Sequence, residues 1–382
     1  MQVDAPSSYN YLVAGAEDPL NTSANFKGFH SRVSENVDCI NGGSRMNDQH
    51  GVSSARSRHF VDPDQFQSSI RGGDNMYSLI GRGVFHADLI DIKLGELLVQ
   101  RGIETLPRLA STSMAPNRVG ILGWFGDGQL PAVRGAQMRP GEFMFLGLGM
   151  QSHHRTFGRN DFAALTLDAS DLARAAMDLT GRELAVTAGK VLRPPDHLGT
   201  WLLSVIDAAT HVCQTTPGIF TSPPAADALQ QALLRPMIRC LLDGEARNEG
   251  VPRGHRAAIA KRFAAAVEAS LDRPLLILDL CRMVGTTART LNTLCQEQFG
   301  LPAQRFLALR RLHLTRRALL RSDRLSTTVT EIATSYGIWE LGRFAVAYKS
   351  LFGESPSATL RRLPEALRAE DIPATAVLAK SA

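Results

Sequence analysis

The 382-residue sequence predicts an α+β chain in two parts. An antiparallel β barrel or jelly roll with helices after it is followed by an all-α C-terminal part built from two helix-turn-helix units. Three observations carry this expectation. A helix–glycine–helix pattern occurs twice near the C-terminus. Short apolar runs broken by Gly, Pro and Asn fill the region from about Phe66 to Leu167. Basic charge is concentrated in the last third of the chain.

Residues 1–60 are rich in Ser, Asn, Gly and Asp and carry no sustained apolar pattern, so a disordered extension is expected there. Tyr9, Tyr11 and Leu12 are its few residues suited to docking on a folded body.

Residues 61–243 are expected to form a sensing or dimerisation region, with strands to about residue 168 and helices beyond. VFHADLIDIKLGELLVQRG alternates on both sides of Gly95, which predicts a hairpin. RVGILGWF, EFMFLGLG and FAALTLD follow as short apolar runs, and six to nine such strands suggest a small antiparallel barrel or jelly roll. His153 and His154 come after the EFMFLGLGM run. Neighbouring strand residues point to opposite faces, so only one of the pair can enter the interior. Trp124, Phe143, Phe145, His154 and Arg155 are the aromatic and polar candidates for lining an effector cavity. From Asp168 the pattern turns helical: Ser170 reads as the cap of DLARAAMDLTG, and amphipathic runs cover Pro195–Cys213 and Asp227–Leu242. GEARNEGVPRG, residues 244–254, has no apolar period and contains Pro and Gly, so it reads as a linker.

Residues 255–363 hold the repeated pattern, and 364–382 read as a flexible tail. Thr328 and Glu331 have the Thr-x-x-Glu spacing of a capping box. Ile332, Ala333 and Tyr336 then share one helical face, and Gly337 stands where the chain must turn. Leu341, Phe344, Ala347, Tyr348 and Leu351 give a second apolar stripe. Upstream by 52 positions, Ile277, Asp279, Leu280, Cys281, Val284 and Gly285 repeat Val329, Glu331, Ile332, Ala333, Tyr336 and Gly337. Past the glycine the offset is 53, where Leu291, Phe299 and Gly300 match Phe344, Phe352 and Gly353. A connecting helix over 303–320 would space the two units, with Phe306, Leu309, Leu312 and Leu319 on its core face.

At 100° per residue the second helix of the first unit turns Leu291, Leu294, Cys295 and Gln298 inward. Arg289, Thr290, Asn292, Thr293 and Gln296 are then left as candidate DNA contacts. Arg reads guanine through two hydrogen bonds, and Asn or Gln reads adenine. In the second unit the candidates are Glu340, Leu341, Arg343, Val346 and Lys349, with Gly342 beside them. Arg310, Arg311, Arg316, Arg317, Arg361 and Arg362 are expected to meet phosphates or solvent.

Between Arg253 and Leu363 there are 18 Lys/Arg against 8 Asp/Glu, while the residues before Arg253 carry a slight acidic excess within a whole-chain charge of +5. A basic module on an acidic body suits a phosphate-binding unit fused to something else. No run approaches the roughly 18 apolar residues of a membrane span, and the N-terminus has no secretory pattern. The five cysteines have no CxxC spacing and read as reduced thiols. A cytoplasmic protein without metal or cofactor is expected.

The stretch from Arg253 to Leu363 resembles the DNA-binding domain of the AraC/XylS family of bacterial transcription regulators. The resemblance lies in LLILDLCRMVGTTARTLNTLCQEQFGLPAQRFLALRRL and, most closely, in IATSYG, the GRF variant of the recognition helix, and FGESPSATLRR. It implies a sequence-specific regulator, by family tendency an activator, that meets promoter DNA, RNA polymerase and a second copy of itself. It implies a cupin-like N-terminal domain that senses a small molecule. It also places base-contacting residues at Arg289, Asn292 and Thr293. Gly342 departs from the longer polar residue of some members, which weakens readout by the second unit. The cupin metal pattern, H-x-H followed by Glu, is missing. Two other readings stay open: an N-terminal domain used only for dimerisation or protein contact, and a cupin-type enzyme fused to a DNA-binding domain, for which the sequence offers no metal triad or nucleophile–base set.

Overall fold

A computed structural model describes residues 53–126, 128–186, 189–247, 254–270, 273–323 and 325–362. The expected tail at 364–382, the docking candidates Tyr9, Tyr11 and Leu12, and residues 248–253 of the expected linker lie outside these.

Thirteen strands form in the described residues. They are β1 (Ser54–Phe60), β2 (Gly73–Leu79), β3 (Ala87–Leu94), β4 (Leu97–Glu104), β5 (Arg108–Met114), β6 (Arg118–Trp124), β7 (Ala132–Val133), β8 (Ala136–Gln137), β9 (Phe143–Leu146), β10 (Gln151–Arg155), β11 (Asn160–Asp168), β12 (Lys190–Arg193) and β13 (Glu245–Arg247). All pairings are antiparallel. One sheet runs β1-β3-β4-β11-β6-β9-β12-β13 and the other β2-β5-β10-β7-β8. Neither closes on itself, so the jelly-roll alternative describes the fold and a closed barrel does not. The predicted hairpin about Gly95 is β3–β4: Leu94 pairs with Leu97 across a two-residue turn in which Gly95 has φ +56°.

The middle of the eight-stranded sheet is buried on both faces. Odd residues of β6 and β9 (Val119, Ile121, Phe143, Phe145) turn to three helices packed behind the sheet. Even residues (Leu122, Trp124, Met144, Leu146) turn to the five-stranded sheet and share a core with its Tyr77, Leu79, Ala110 and Met114. The helices behind are α2 (Ala169–Thr180), α3 (Asp196–Thr215) and α4 (Pro223–Asp243), and a short α1 (Pro63–Ser69) precedes β2.

Three expectations need correction. Residues 54–60 are an ordered strand: β1 pairs with β3 from Ser54↔Lys93 to Phe60↔Ala87. Its sequence, SARSRHF, reads as loop because only Phe60 is buried on this edge strand. The cap of α2 is Asp168, whose carboxylate accepts from the Ser170 N–H at 2.8 Å, and not Ser170 itself. The start of the expected linker is β13, held to the sheet through Arg247 and the buried Glu142 at 3.0 Å.

The C-terminal part is helical: α5 (His255–Glu268), α6 (Ile277–Val284), α7 (Ala288–Phe299), α8 (Ala303–Arg321), α9 (Val329–Ser335), α10 (Leu341–Phe352) and α11 (Pro356–Leu360). The connecting helix over 303–320 is therefore observed as α8. Among the described residues no helix is long and apolar enough to cross a membrane.

Candidate nucleic-acid interface

Each helix-turn-helix is built from local signals. Gly285 ends α6 at φ +68°, and Thr287 caps α7 by accepting from the Thr290 N–H at 3.2 Å. In the second unit Thr328 and Glu331 close a reciprocal capping box. Thr328 N–H donates to Glu331 Oε2 at 2.8 Å, and Glu331 N–H donates to Thr328 Oγ1 at 3.2 Å. The Thr328 N–H and the Thr328 hydroxyl, both donating to that carboxylate, hold the Glu331 carboxyl below its ordinary range. Gly337 takes φ +71°, and the chain re-enters α10. A buried stripe orients each second helix: Leu291, Leu294, Cys295 and Phe299 in α7, and Phe344, Tyr348 and Leu351 in α10. Ala347, expected in the second stripe, is exposed. The Tyr348 hydroxyl donates to Thr359 Oγ1 at 2.9 Å, and burial pushes its pKa up to about 12.

The candidate contacts of α7 fall together on its solvent face: Arg289, Thr290, Asn292, Thr293 and Gln296 are all exposed. Two of them are partly committed within the protein. Thr293 donates its hydroxyl to the Arg289 carbonyl at 3.1 Å, and Asn292 Oδ1 accepts from the Ala303 N–H at 3.1 Å, closing the start of α8. Paired reading of adenine needs both the oxygen and the NH₂ of an asparagine. With one lone pair of that oxygen so used, Asn292 keeps its NH₂ and a single remaining acceptor lone pair for DNA.

On α10, Arg343, Val346 and Lys349 are exposed, and Arg343 pairs with Glu340 at 2.7 Å. Leu341 is half-buried against the core of the second unit. Gly342, Arg343 and Val346 also line a cleft of about 430 Å³ shared with Ile80 and Arg82 of the strand region and Arg305 and Leu309 of α8. One exposed residue escaped the sequence reading: Trp339, 78% exposed on the turn that leads into α10. An indole there offers a flat apolar face and one N–H donor. The signal was a large apolar residue lying outside both stripes.

The arginines of α8 are not the phosphate-facing set expected. The Arg316 side chain is 2% exposed, and its guanidinium is bound by Asp62, by Asp64 at 2.8 Å and by Glu354 at 2.6 Å. Burial alone would lower its pKa, but Asp62 and Asp64 raise it overall. Arg362 joins the same cluster, reaching Asp62 at 2.6 Å and Glu354 at 2.8 Å. Arg310 is buried and donates to the Ser270 carbonyl, and Arg311 donates to the Gly337 carbonyl at 3.3 Å. A guanidinium ringed by carboxylates is already neutralised, so Arg316 joins α8 to the strand region instead of meeting DNA. Arg361 remains exposed.

The effector candidates divide. Trp124 and His154 line one cavity of about 40 Å³ between the two sheets, with Tyr77, Arg108, Thr112 and Phe162. Phe143 and Phe145 point the other way, into the core beneath α3, where Gly199 leaves room for the Phe143 ring. Arg155 points out of the sheet, donating to the carbonyls of Gly300 at 3.0 Å and Phe299 at 3.3 Å. The cavity floor is polar: Arg108 meets Glu104 at 2.5 Å and His154 Nε2 at 2.8 Å, and Asn160 donates to Glu104 at 2.8 Å. Burial, with Arg108 and His153 beside it, holds His154 neutral and its pKa well below the ordinary value. Facing Arg108 with Nε2 as acceptor, His154 carries its proton on Nδ1, a buried donor with no protein partner.

Residues 280–362 match the family model described as a helix-turn-helix domain. Over 175 residues the chain is 32% identical to the "Probable thc operon regulatory protein" of Rhodococcus erythropolis, covering 44% of this chain and 50% of that one. Over 102 residues it is 34% identical to the "XylDLEGF operon transcriptional activator 1" of Pseudomonas putida, covering 27% of this chain and 31% of the relative. The chain thus spans half or less of the length of these two relatives. Among solved structures, a probable AraC family transcriptional regulator from Rhodopseudomonas palustris aligns at 31% identity with TM-score 0.24, covering 28% of this chain and 97% of that one. The AraC-like transcriptional activator CuxR aligns at 16% identity with TM-score 0.36, covering 74% of this chain and 100% of that one. The chain thus carries an AraC-type helix-turn-helix domain at its C-terminus.

Proposed function

We propose that the protein is a sequence-specific transcription regulator, acting as an activator at promoter DNA in the cytoplasm and engaging RNA polymerase as a homodimer. One observation carries the DNA-binding reading: α7 and α10 are each oriented by a buried stripe that leaves their polar residues in solvent, and both hang on the single helix α8. Two reading helices on one axle suit successive major grooves on one face of the duplex, about 34 Å apart. Arg289 and Arg343 are the proposed base readers; Thr290, Thr293, Gln296 and Lys349 supply further polar contacts and Val346 an apolar one.

The strands and helices up to residue 243 form the proposed sensing domain, and 255–363 the DNA-binding domain. Its effector site is the inter-sheet cavity of Trp124 and His154, where an imidazole N–H and a guanidinium suit a small ligand bearing a hydrogen-bond acceptor. The protein's role in this reading is regulatory and not catalytic. A DNA footprint on the protein's own upstream region, repeated over a salt series, tests the proposal. Protection of two adjacent major grooves, with affinity falling steeply as salt rises, is the expected result. Absence of any protected site for both the full chain and the fragment from Arg253 onward would overturn it.

A further inference from the structure

The five-stranded sheet has the cavity on one face and the DNA-binding helices on the other. Along β5, Arg108, Thr112 and Met114 line the cavity, while Leu109 belongs to the apolar core of the first helix-turn-helix unit. On β10 the alternation is sharper. His154 faces the cavity, whereas its neighbour His153 sets its ring edge-on against Phe299 of α7 at 5.3 Å, and Arg155 holds the carbonyls at the end of α7. On β2, Tyr77 lines the cavity, Met76 packs against the core of the first unit, and the Leu79 carbonyl accepts from His313 of α8 at 3.3 Å. One strand thickness therefore separates a cavity residue from a residue gripping the DNA-binding part.

The two walls of the cavity are braced unequally. The eight-stranded wall is backed by the broad core under α2, α3 and α4. The five-stranded wall has α7 and α8 behind it, held by Leu109 and Met76 in the core of the first unit and by a few polar and aromatic contacts. At about 40 Å³ the cavity admits a water or two, so a larger occupant that enters between the sheets presses on both walls. Packed layers do not stretch continuously; they shift between arrangements.

We propose that the five-stranded sheet is the relay between effector and DNA. Filling the cavity pushes β5 and β10 outward, loosens the grip of His153 and Arg155 on the end of α7, and so changes the first reading helix. This rests on the sensing role proposed for the cavity. By linkage, DNA held by α7 alters effector affinity by the same factor.

Ala164 of β11 lines the cavity from the braced wall, so Ala164→Leu is a covalent stand-in for an occupant. Amide hydrogen exchange on the full-length protein reads the outcome without DNA, so a failed footprint leaves this test intact. Amides of 296–301 should exchange about tenfold faster in the variant, while those of 344–352 in α10 stay unchanged. In a His153→Ala/Arg155→Ala background, where the grip is already gone, Ala164→Leu should add nothing at 296–301. The relay is overturned if exchange rises in β5 and β10 but not at 296–301, or if the effect at 296–301 survives in the double variant. Ala164→Val gives the same comparison with a smaller intrusion should the leucine variant fail to fold.

Discussion

Replacing Arg316 by Met removes the only cation that touches Asp62, Asp64 and Glu354 together among the described residues. Three carboxylates would then share a nearly dry site with Arg362, 30% exposed, as their main remaining counter-charge. Breaking a buried ion pair from one side costs about 3–5 kcal/mol, because the charge left behind has lost both water and partner. An exposed pair such as Arg343–Glu340 contributes at most about 1 kcal/mol, so the two regimes are well separated. Urea unfolding of the full chain, followed by tryptophan emission and circular dichroism, should place Arg316→Met at the upper figure. Because Asp62 and Asp64 belong to the strand region and Arg316 to α8, the two signals should also cease to coincide.

The loss should shrink in acid. Burial already raises the Asp64 pKa, and losing Arg316 removes the main influence that lowers it. A folded-state pKa above the unfolded one contributes stability below the unfolded pKa and loses it as pH rises through the folded value. The variant should therefore approach the wild type as pH falls toward 4 and diverge from it at neutral pH. A stability loss below about 1 kcal/mol at pH 7 would refute the argument, since it would put Arg316 in the class of exposed pairs.

Arg289→Ala and Arg343→Ala should each weaken operator binding by about 1–3 kcal/mol and relax base preference at one half-site, read by competition with single-base variants. Uniform weakening across all sequences would assign them to phosphate. Asn292→Ala should lower stability by about 1 kcal/mol through the lost bond to Ala303, whereas Asn292→Asp should keep that bond and lose DNA affinity by charge. Equal stability of the two variants would show that the Asn292 oxygen holds nothing. Burial, together with Arg317 and Arg316, depresses the His313 pKa to about 3, while the Leu79 carbonyl opposes the shift. A depressed pKa means stability that is full above the unfolded value and is lost as pH falls, so His313 contributes a loss between about pH 6.5 and 3, at up to about 1.4 kcal/mol per pH unit. His313→Gln should flatten that part of the pH–stability profile, and an unchanged slope would count against a buried neutral imidazole.

What could be read in the sequence was what local signals encode. The capping box at Thr328, the turn at Gly337, the outward face of α7 and the length of α8 all follow from spacing within a dozen residues. The Gly95 hairpin was legible for the same reason, and so was the split of His153 and His154 to opposite faces. The orientation of Phe143 and Phe145 was not, because all four residues of β9 are buried and alternation carries no sign there. β1 was hidden by its polar edge. The burial of Arg316 was beyond any local reading: periodicity sends an arginine to solvent, and two of the three carboxylates that keep it inside stand some 250 positions earlier in the chain.

Asp62 serves both sides of the molecule. One oxygen caps α1 by accepting from Asp64 N–H at 2.9 Å, and the other binds Arg316 and Arg362. The halves are therefore poor interchangeable parts. Grafted onto a foreign body, the DNA-binding half would carry a buried cation with Glu354 alone to receive it. The strand half taken by itself would hold two crowded carboxylates at the start of a helix. Chimaeras that keep α8 with its own α1 should be more stable than those joined at residue 254, so the natural seam for exchanging specificity lies outside this pair of helices.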